Sequence, residues 1–242
     1  MQSSPAILLA VLCGFVLILA AMVAVVVVVS RKENEAYARV AKSLGFAPLE
    51  NTGELMQRIA FLREIQPEPH HRLTQVYCRI HASGAKTCMY NLSFRARARM
   101  EGNSGRKAMY QPLETNALAF ISPAWKLPRF NALPRLTGNG MMAKMGNSLA
   151  EKAMDIKHEL ITFQHIPNLD ERYLLSTPEI PPSHVRPSDE FLRVLASHPN
   201  LNLYAGGDTL TLTFAGDHSG LPDEEKMKRL YKIGMALARA LT

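Results

Sequence analysis

Residues 6–29, AILLAVLCGFVLILAAMVAVVVVV, decide how this chain is read, because Ala, Leu, Ile, Val, Met and Phe are interrupted there only by Cys13 and Gly14. At 1.5 Å per residue, about two dozen helical residues cover roughly 36 Å, enough to cross a hydrocarbon layer of about 30 Å with some tilt. The valines Val25 to Val29 disfavour a helix in water, yet in lipid an unpaired backbone amide is so costly that the helix wins. The sequence therefore predicts a transmembrane helix over 6–30, after a short extracytoplasmic N-terminus over 1–5.

Retention of this helix follows from its surroundings. No Lys or Arg precedes it, it is longer than the apolar region of a secretory signal, and no small-x-small cleavage site closes it before Ser30. Cys13 follows Val11 and Leu12 rather than the small residues of a lipoprotein signal. Arg31, Lys32, Arg39 and Lys42 flank only its C-terminal side, so the positive-inside rule puts the rest of the chain in the cytoplasm, a single-pass inner-membrane arrangement.

The 242 residues carry a formal charge of +7, and those beyond the anchor suffice for one domain or two small lobes with a buried core. Such basicity suits an anionic leaflet, nucleic acid or an acidic protein, and the leaflet is nearest to a tethered domain. Cys78 and Cys88 lie in neighbouring predicted strands; in a reducing cytoplasm they read as two small buried hydrophobes rather than a disulfide.

Beyond Lys32, Ala36, Tyr37, Val40, Ala41 and Leu44 recur at helical spacing and Gly45 stops the run. A second helix is expected from Glu54 to Arg63. Strands over Leu73–Ile80, Lys86–Met100 and Ala108–Ile121 form an antiparallel meander. Pro123, Pro128 and Pro134 make Ser122–Arg135 irregular or edge-like, and this first α+β lobe spans 31–135. The Gly- and Met-rich stretch 136–154 is the seam, with a helical turn placed at Ser148–Met154. The second lobe, 155–242, contains short strands at Leu160–His165 and Arg172–Thr177, then a helix capped by Ser188. Its hairpin runs through Leu201–Ala205 and Thr209–Phe214, and an amphipathic helix opening at Pro222 ends it. The fold class is α+β, an antiparallel sheet with flanking helices.

Trp125-Lys126-Leu127-Pro128-Arg129-Phe130, Ile161 to Phe163, Asp170-Glu171-Arg172-Tyr173-Leu174-Leu175, the Phe191-Leu192 helix and the hairpin beyond it together resemble a family of uncharacterised bacterial membrane-anchored proteins. In that family one N-terminal transmembrane helix carries a soluble α+β domain. The resemblance covers roughly Tyr37 to Leu241, departs from the pattern at Gly138–Met154, and implies a bacterial origin without assigning any functional residue.

Arg95, Arg97 and Arg99 alternate with Ala96 and Ala98, and Arg106 and Lys107 follow across a loop. Alternation puts the three arginines on one face of a strand, either an anion-binding stripe or a solvated face that discourages edge pairing. Aromatics that would stack bases are sparse nearby, which disfavours nucleic acid. Ala6, Ala10 and Gly14 form a small-x-x-x-small stripe along the anchor, suited to a membrane-protein partner or to self-association.

The histidines, including His70, His71, His158 and His165, are spaced so that no shared metal is expected, and no phosphate loop, nucleophile elbow or dinucleotide fingerprint occurs. Ser83 with Lys86 and Ser104 with Lys107 fall in glycine-containing turns; Asp170, Glu171, Asp217 and His218 act as acid and base only if folding unites them. No cofactor is expected. The leading reading is a non-enzymatic membrane protein whose basic domain docks on another membrane-associated component as an accessory, assembly or scaffold subunit. A sensor for anionic lipid or metabolite is the alternative, and a hydrolase comes third.

Overall fold

The computed structural model describes residues 5–65, 71–99, 108–136, 158–217 and 221–241. Helix α1 (Pro5–Ser43) is a single 39-residue helix, so the apolar run and the Tyr37 stripe share one axis without a break at Ser30. Among the described residues no helix is long and apolar enough to cross a membrane. Within α1 the side chains at 5–13, 16, 17 and 26 lie outside the described residues.

After α1 come β1 (Ala47–Pro48), α2 (Gly53–Arg63), β2 (His71–Ile80), β3 (Lys86–Arg99), β4 (Ala108–Ile121) and β5 (Leu127–Pro134). The chain continues through β6 (Glu159–Ile161), α3 (Leu169–Arg172), β7 (Tyr173–Thr177), α4 (Asp189–Ser197), β8 (Leu201–Gly207), β9 (Thr209–Phe214) and α5 (Glu224–Arg239). The nine strands of the described residues form one sheet in the order β1-β2-β3-β4-β9-β8-β5-β7-β6, every neighbour antiparallel. The protein is α+β, and the two expected lobes meet through β4 and β9 in a continuous sheet. Apart from Leu136, the seam 136–154, with its expected helical turn, lies outside the described residues.

Alternation along the strands sorts the core into two faces. Cys88, Tyr90 and Leu92 of β3, with Ala117, Ala119 and Ile121 of β4, pack under Leu55 and Ile59 of α2. Met89, Leu118 and Phe120 point the other way, to Tyr37, Val40 and Ala41 of α1 and to the stripe Met227, Leu230, Ile233 and Leu237 of α5. Gly45, at φ +73°, turns the chain off α1, after which Ala47 pairs with Cys78. Ser188 caps α4 by accepting from the Phe191 amide at 3.2 Å, and its hydroxyl donates to the Ala240 carbonyl at 2.8 Å, tying α4 to the end of α5.

The proline-rich stretch differs from expectation. Ser122–Arg135 is not an edge: β5 lies inside the sheet between β8 and β7. Pro128 falls within the register shift between Leu127 and Phe130, and pairing with β8 ends at Ala132, before Pro134. The missing donors fall where little bonding is lost, while Phe130, Asn131 and Ala132 hold the ladder.

Candidate functional site

The β2–β3 hairpin, the β4 end and the β8–β9 turn converge under α2 on a cavity of about 280 Å³. Its apolar lining includes Leu49, Leu55, Ile121 and Pro123, with Ile80 70% exposed. Cys78 and Cys88 also line it, and they are joined. The register sets Cys78 directly opposite Cys88 with Cα atoms 4.1 Å apart, and a disulfide closes the hairpin. The expectation of two separate thiols is corrected by that register, which leaves no residue between the sulfurs.

Polar groups gather at one side of the cavity. Arg58 donates to Glu54 at 2.8 Å and to Asp208, and approaches the Thr209 hydroxyl at 3.4 Å. Asp208 is held in place by the turn, whose carbonyl accepts from the Ser122 amide at 2.9 Å, and its carboxylate also accepts from Thr209 at 2.8 Å. Burial pushes the Asp208 carboxyl up, but the hydrogen bonds from Arg58 and Thr209 and the Arg58 charge outweigh it and hold the group below the usual carboxylate range. Hydrogen bonding to Arg58 lowers Glu54 in the same way. Partial burial opposes the Arg58 charge, and the two carboxylates more than restore it.

Carboxyls with depressed folded pKa values contribute stability above their unfolded values, and that stability is lost as pH falls through the folded ones. Arg58→Met is accordingly expected to cost about 1 kcal/mol at neutral pH, the scale of a partly exposed ion pair, and to cost almost nothing near about pH 2. Urea unfolding at both pH values measures it; an equal cost at the two would remove the ion pair as its cause. With Lys86 also in the lining, two cations stand against two carboxylates beside an apolar floor, and the disulfide leaves no thiolate there to act as nucleophile.

The residues singled out from the sequence are dispersed. Arg95, Arg97 and Arg99 occupy alternate positions of β3; their side chains, like residues Arg106 and Lys107 as a whole, lie outside the described residues. Ala6, Ala10 and Gly14 recur along α1, the side chains of the alanines lie outside the described set, and a methyl group at Gly14 would meet nothing within 4 Å. His158 pairs with Glu64 at 3.2 Å and His165 with Asp189 at 2.9 Å. His70 and His218 lie outside the described residues. Asp170 accepts from the Phe163 amide at 3.2 Å while Asp217 reaches Lys226 at 3.8 Å, so each carboxylate serves its own neighbourhood. Among the described residues no group of His, Cys, Asp or Glu could hold a metal ion.

Two polar features escaped the sequence reading. On the α1 face, Tyr37 donates its hydroxyl to Asn116, whose backbone carbonyl accepts from Thr213 at 2.9 Å, and the neighbouring Asn91 donates to Glu114 at 2.7 Å. Burial first, then the Glu114 charge, drives the Tyr37 phenol well above its ordinary pKa. On the α2 face, the Arg63 guanidinium lies over the Tyr204 ring, 4.6 Å from its centroid. Burial raises the pKa of the nearby Tyr90. The available signal was an asparagine inside each of two strongly β segments, Tyr90-Asn91-Leu92 and Thr115-Asn116-Ala117.

Compared with known protein families, characterised proteins and solved structures, the chain matches none.

Proposed function

We propose that this chain is a single-pass membrane protein without catalytic activity, whose basic domain docks on another membrane-associated component. The observation that supports it is the character of α1. Met22, Val23 and Val28 stand on three sides of the helix at 3.6 residues per turn, and they are 54%, 62% and 51% exposed. A helix apolar all round asks for lipid, not for the flank of a soluble domain. The same helix then enters the core through Tyr37, Val40 and Ala41, so the domain is held close to whatever surface the anchor occupies. The cavity beside Ile80 offers the docking surface, an apolar floor with a self-neutralised charged side, suited to an apolar side chain flanked by polar groups.

Alkaline extraction of membranes is expected to leave the full chain in the pellet, and detergent to release it. A photo-crosslinker at Ile80 should then capture a membrane-associated partner, whereas one at the exposed Gln57 should not. Release by alkali alone would remove the anchor; crosslinking that is the same from both positions would remove the docking surface.

The flanking Arg31 and Lys32 favour a cytoplasmic domain. One observation favours the opposite orientation: the Cys78–Cys88 disulfide suits an oxidising compartment. Thiol alkylation of the same membranes before reduction separates the two. Labelling of Cys78 and Cys88 without reductant supports the cytoplasm, and labelling only after reduction supports the outer side.

A further inference from the structure

We infer that the α2 face of the sheet binds a small phosphate ester, its phosphate on the unpaired edge of the Arg63 guanidinium beside the Tyr90 hydroxyl and its alcohol part along Asn131 and Ser176. The site goes beyond the anchored, docking reading above and stands without it.

Strand register assembles the site. Thr211 of β9 is opposite Tyr204 of β8, Tyr204 is opposite Asn131 of β5, and Asn131 is opposite Ser176 of β7. Residues directly opposite one another project to the same side, so all four share the face on which Arg63 lies over the Tyr204 ring. Tyr90 enters that face from β3 beside Leu55 and Ile59, and only the small Ala117 and Ala119 of β4 separate it from β9. Burial raises the Tyr90 phenol, while the Arg63 charge and the Thr211 hydroxyl act against that, as close neighbours do. The next positions on the same strands, Leu212, Leu203, Ala132 and Leu175, belong to the apolar core of the opposite face. Polarity is therefore confined to this one row.

The atoms of the row want partners. Nε and Nη2 of Arg63, the hydroxyls of Tyr90 and Ser176, and Oδ1 of Asn131 are buried with no hydrogen-bond partner among the described residues. Tyr90 and Ser176 are 0% exposed. An unpaired buried polar group is destabilising, a charged one more so, and native proteins hold few of them. Nearby arginines are paired: Arg58 meets Glu54 and Asp208, and Arg129 meets Glu64 at 2.9 Å. Among the described residues no carboxylate pairs with Arg63. Its Nε and Nη2 are the two parallel donors of one guanidinium edge, the pair that clasps two oxygens of an oxyanion. Tyr90 adds a third donor, and a phosphate has the third oxygen that a carboxylate lacks. Across the strands Asn131 and Ser176 lie about 5 and about 10 Å from Tyr204, where Oδ1 can only accept, so the groups that reach them are alcohols and not further anionic oxygens. Arg63 and Tyr204 are half-buried, which makes them the way in.

The test is thermal unfolding of the full chain in a non-ionic detergent, with glycerol 3-phosphate, inorganic phosphate or acetate added against sodium chloride of equal ionic strength. Glycerol 3-phosphate is expected to raise the melting temperature and saturate, by about 3–6 °C at ten times its half-saturating concentration. Inorganic phosphate should need severalfold more, and acetate at least about tenfold more. Arg63→Met keeps the apolar stem and removes an unpaired buried charge, so it should melt no lower than the wild type in chloride yet lose the response. Tyr90→Phe should melt as the wild type does in chloride and bind about tenfold more weakly. Ser176→Ala should bring the ester down to the level of inorganic phosphate. No saturable response, or one that Arg63→Met retains, overturns the site; acetate acting as well as phosphate overturns the phosphate, and inorganic phosphate acting as well as the ester overturns the alcohol part. None of these outcomes bears on whether alkali releases the chain from membranes, so the two readings fail separately.

Discussion

Gly234→Leu is expected to lower the stability of the domain by at least about 3 kcal/mol, well over the usual cost of one extra buried group, because the helix it belongs to has no room to move. Gly234 lies in the buried stripe of α5, and even a methyl there would overlap the edge of the Phe120 ring and approach Leu212 to 3.0 Å. The ring cannot swing aside. Phe120 is 2% exposed and stacks on Tyr231 at 6.2 Å, and Tyr231 meets Phe46 edge-on at 5.7 Å. Alanine sharpens the point, since helix propensity alone would make Gly234→Ala stabilising by about 1 kcal/mol. The close approach reverses that sign. Thermal unfolding in detergent should show a fall of about 6–12 °C for the leucine variant, at roughly 2–4 °C per kcal/mol for a domain of this size. Adding Phe120→Leu to Gly234→Ala should restore part of what alanine loses. A leucine variant that melts with the wild type would mean that α5 is not seated on β4 as described.

That glycine also shows where sequence reasoning stops. The stripe Met227, Leu230, Gly234 and Leu237 is legible as a helical period, and so is the alternation of Thr209 to Phe214, because local periodicity follows directly from the geometry of each element. Which ring meets Gly234 is a matter of long-range pairing, and no local pattern encodes it. The same limit explains β5. Its prolines speak for an edge on any local rule, but the strands that flank it arrive from beyond residue 172, and a bulge places Pro128 where no ladder bond is needed. The cavity under α2 was invisible for the same reason, since Arg58 and Asp208 stand 150 residues apart in the chain. Cys78 and Cys88 were legible as hairpin neighbours, but one residue of register decides whether they face one another or opposite sides of the sheet.

Tyr37→Ala is expected to undo the joint between α1 and the sheet, at a cost of about 3–5 kcal/mol for a fully buried aromatic side chain. Tyr37 is 1% exposed, and its hydroxyl donates to Asn116 beneath it. Tyr37→Phe keeps the packing but removes that one hydrogen bond, at about 0.5–1.5 kcal/mol. The two variants differ in what they release: phenylalanine weakens the domain with α1 still in place, whereas alanine should free the segment from Ser30 to Gly45. Trypsin reads the difference at Arg39 and Lys42, which are exposed along a helix that only its Tyr37 side holds down. Cleavage there should quicken sharply in Tyr37→Ala and change little in Tyr37→Phe. The phenol adds a pH signature. Its folded pKa is raised by burial and by Glu114, so its contribution is whole below the unfolded value of about 10 and is lost as pH rises beyond it. Wild-type stability should therefore fall more steeply than that of Tyr37→Phe above about pH 10. If Tyr37→Ala leaves both the melting temperature and the Arg39 cleavage rate unchanged, α1 is a tether that merely passes the sheet, and the domain is free to turn on it.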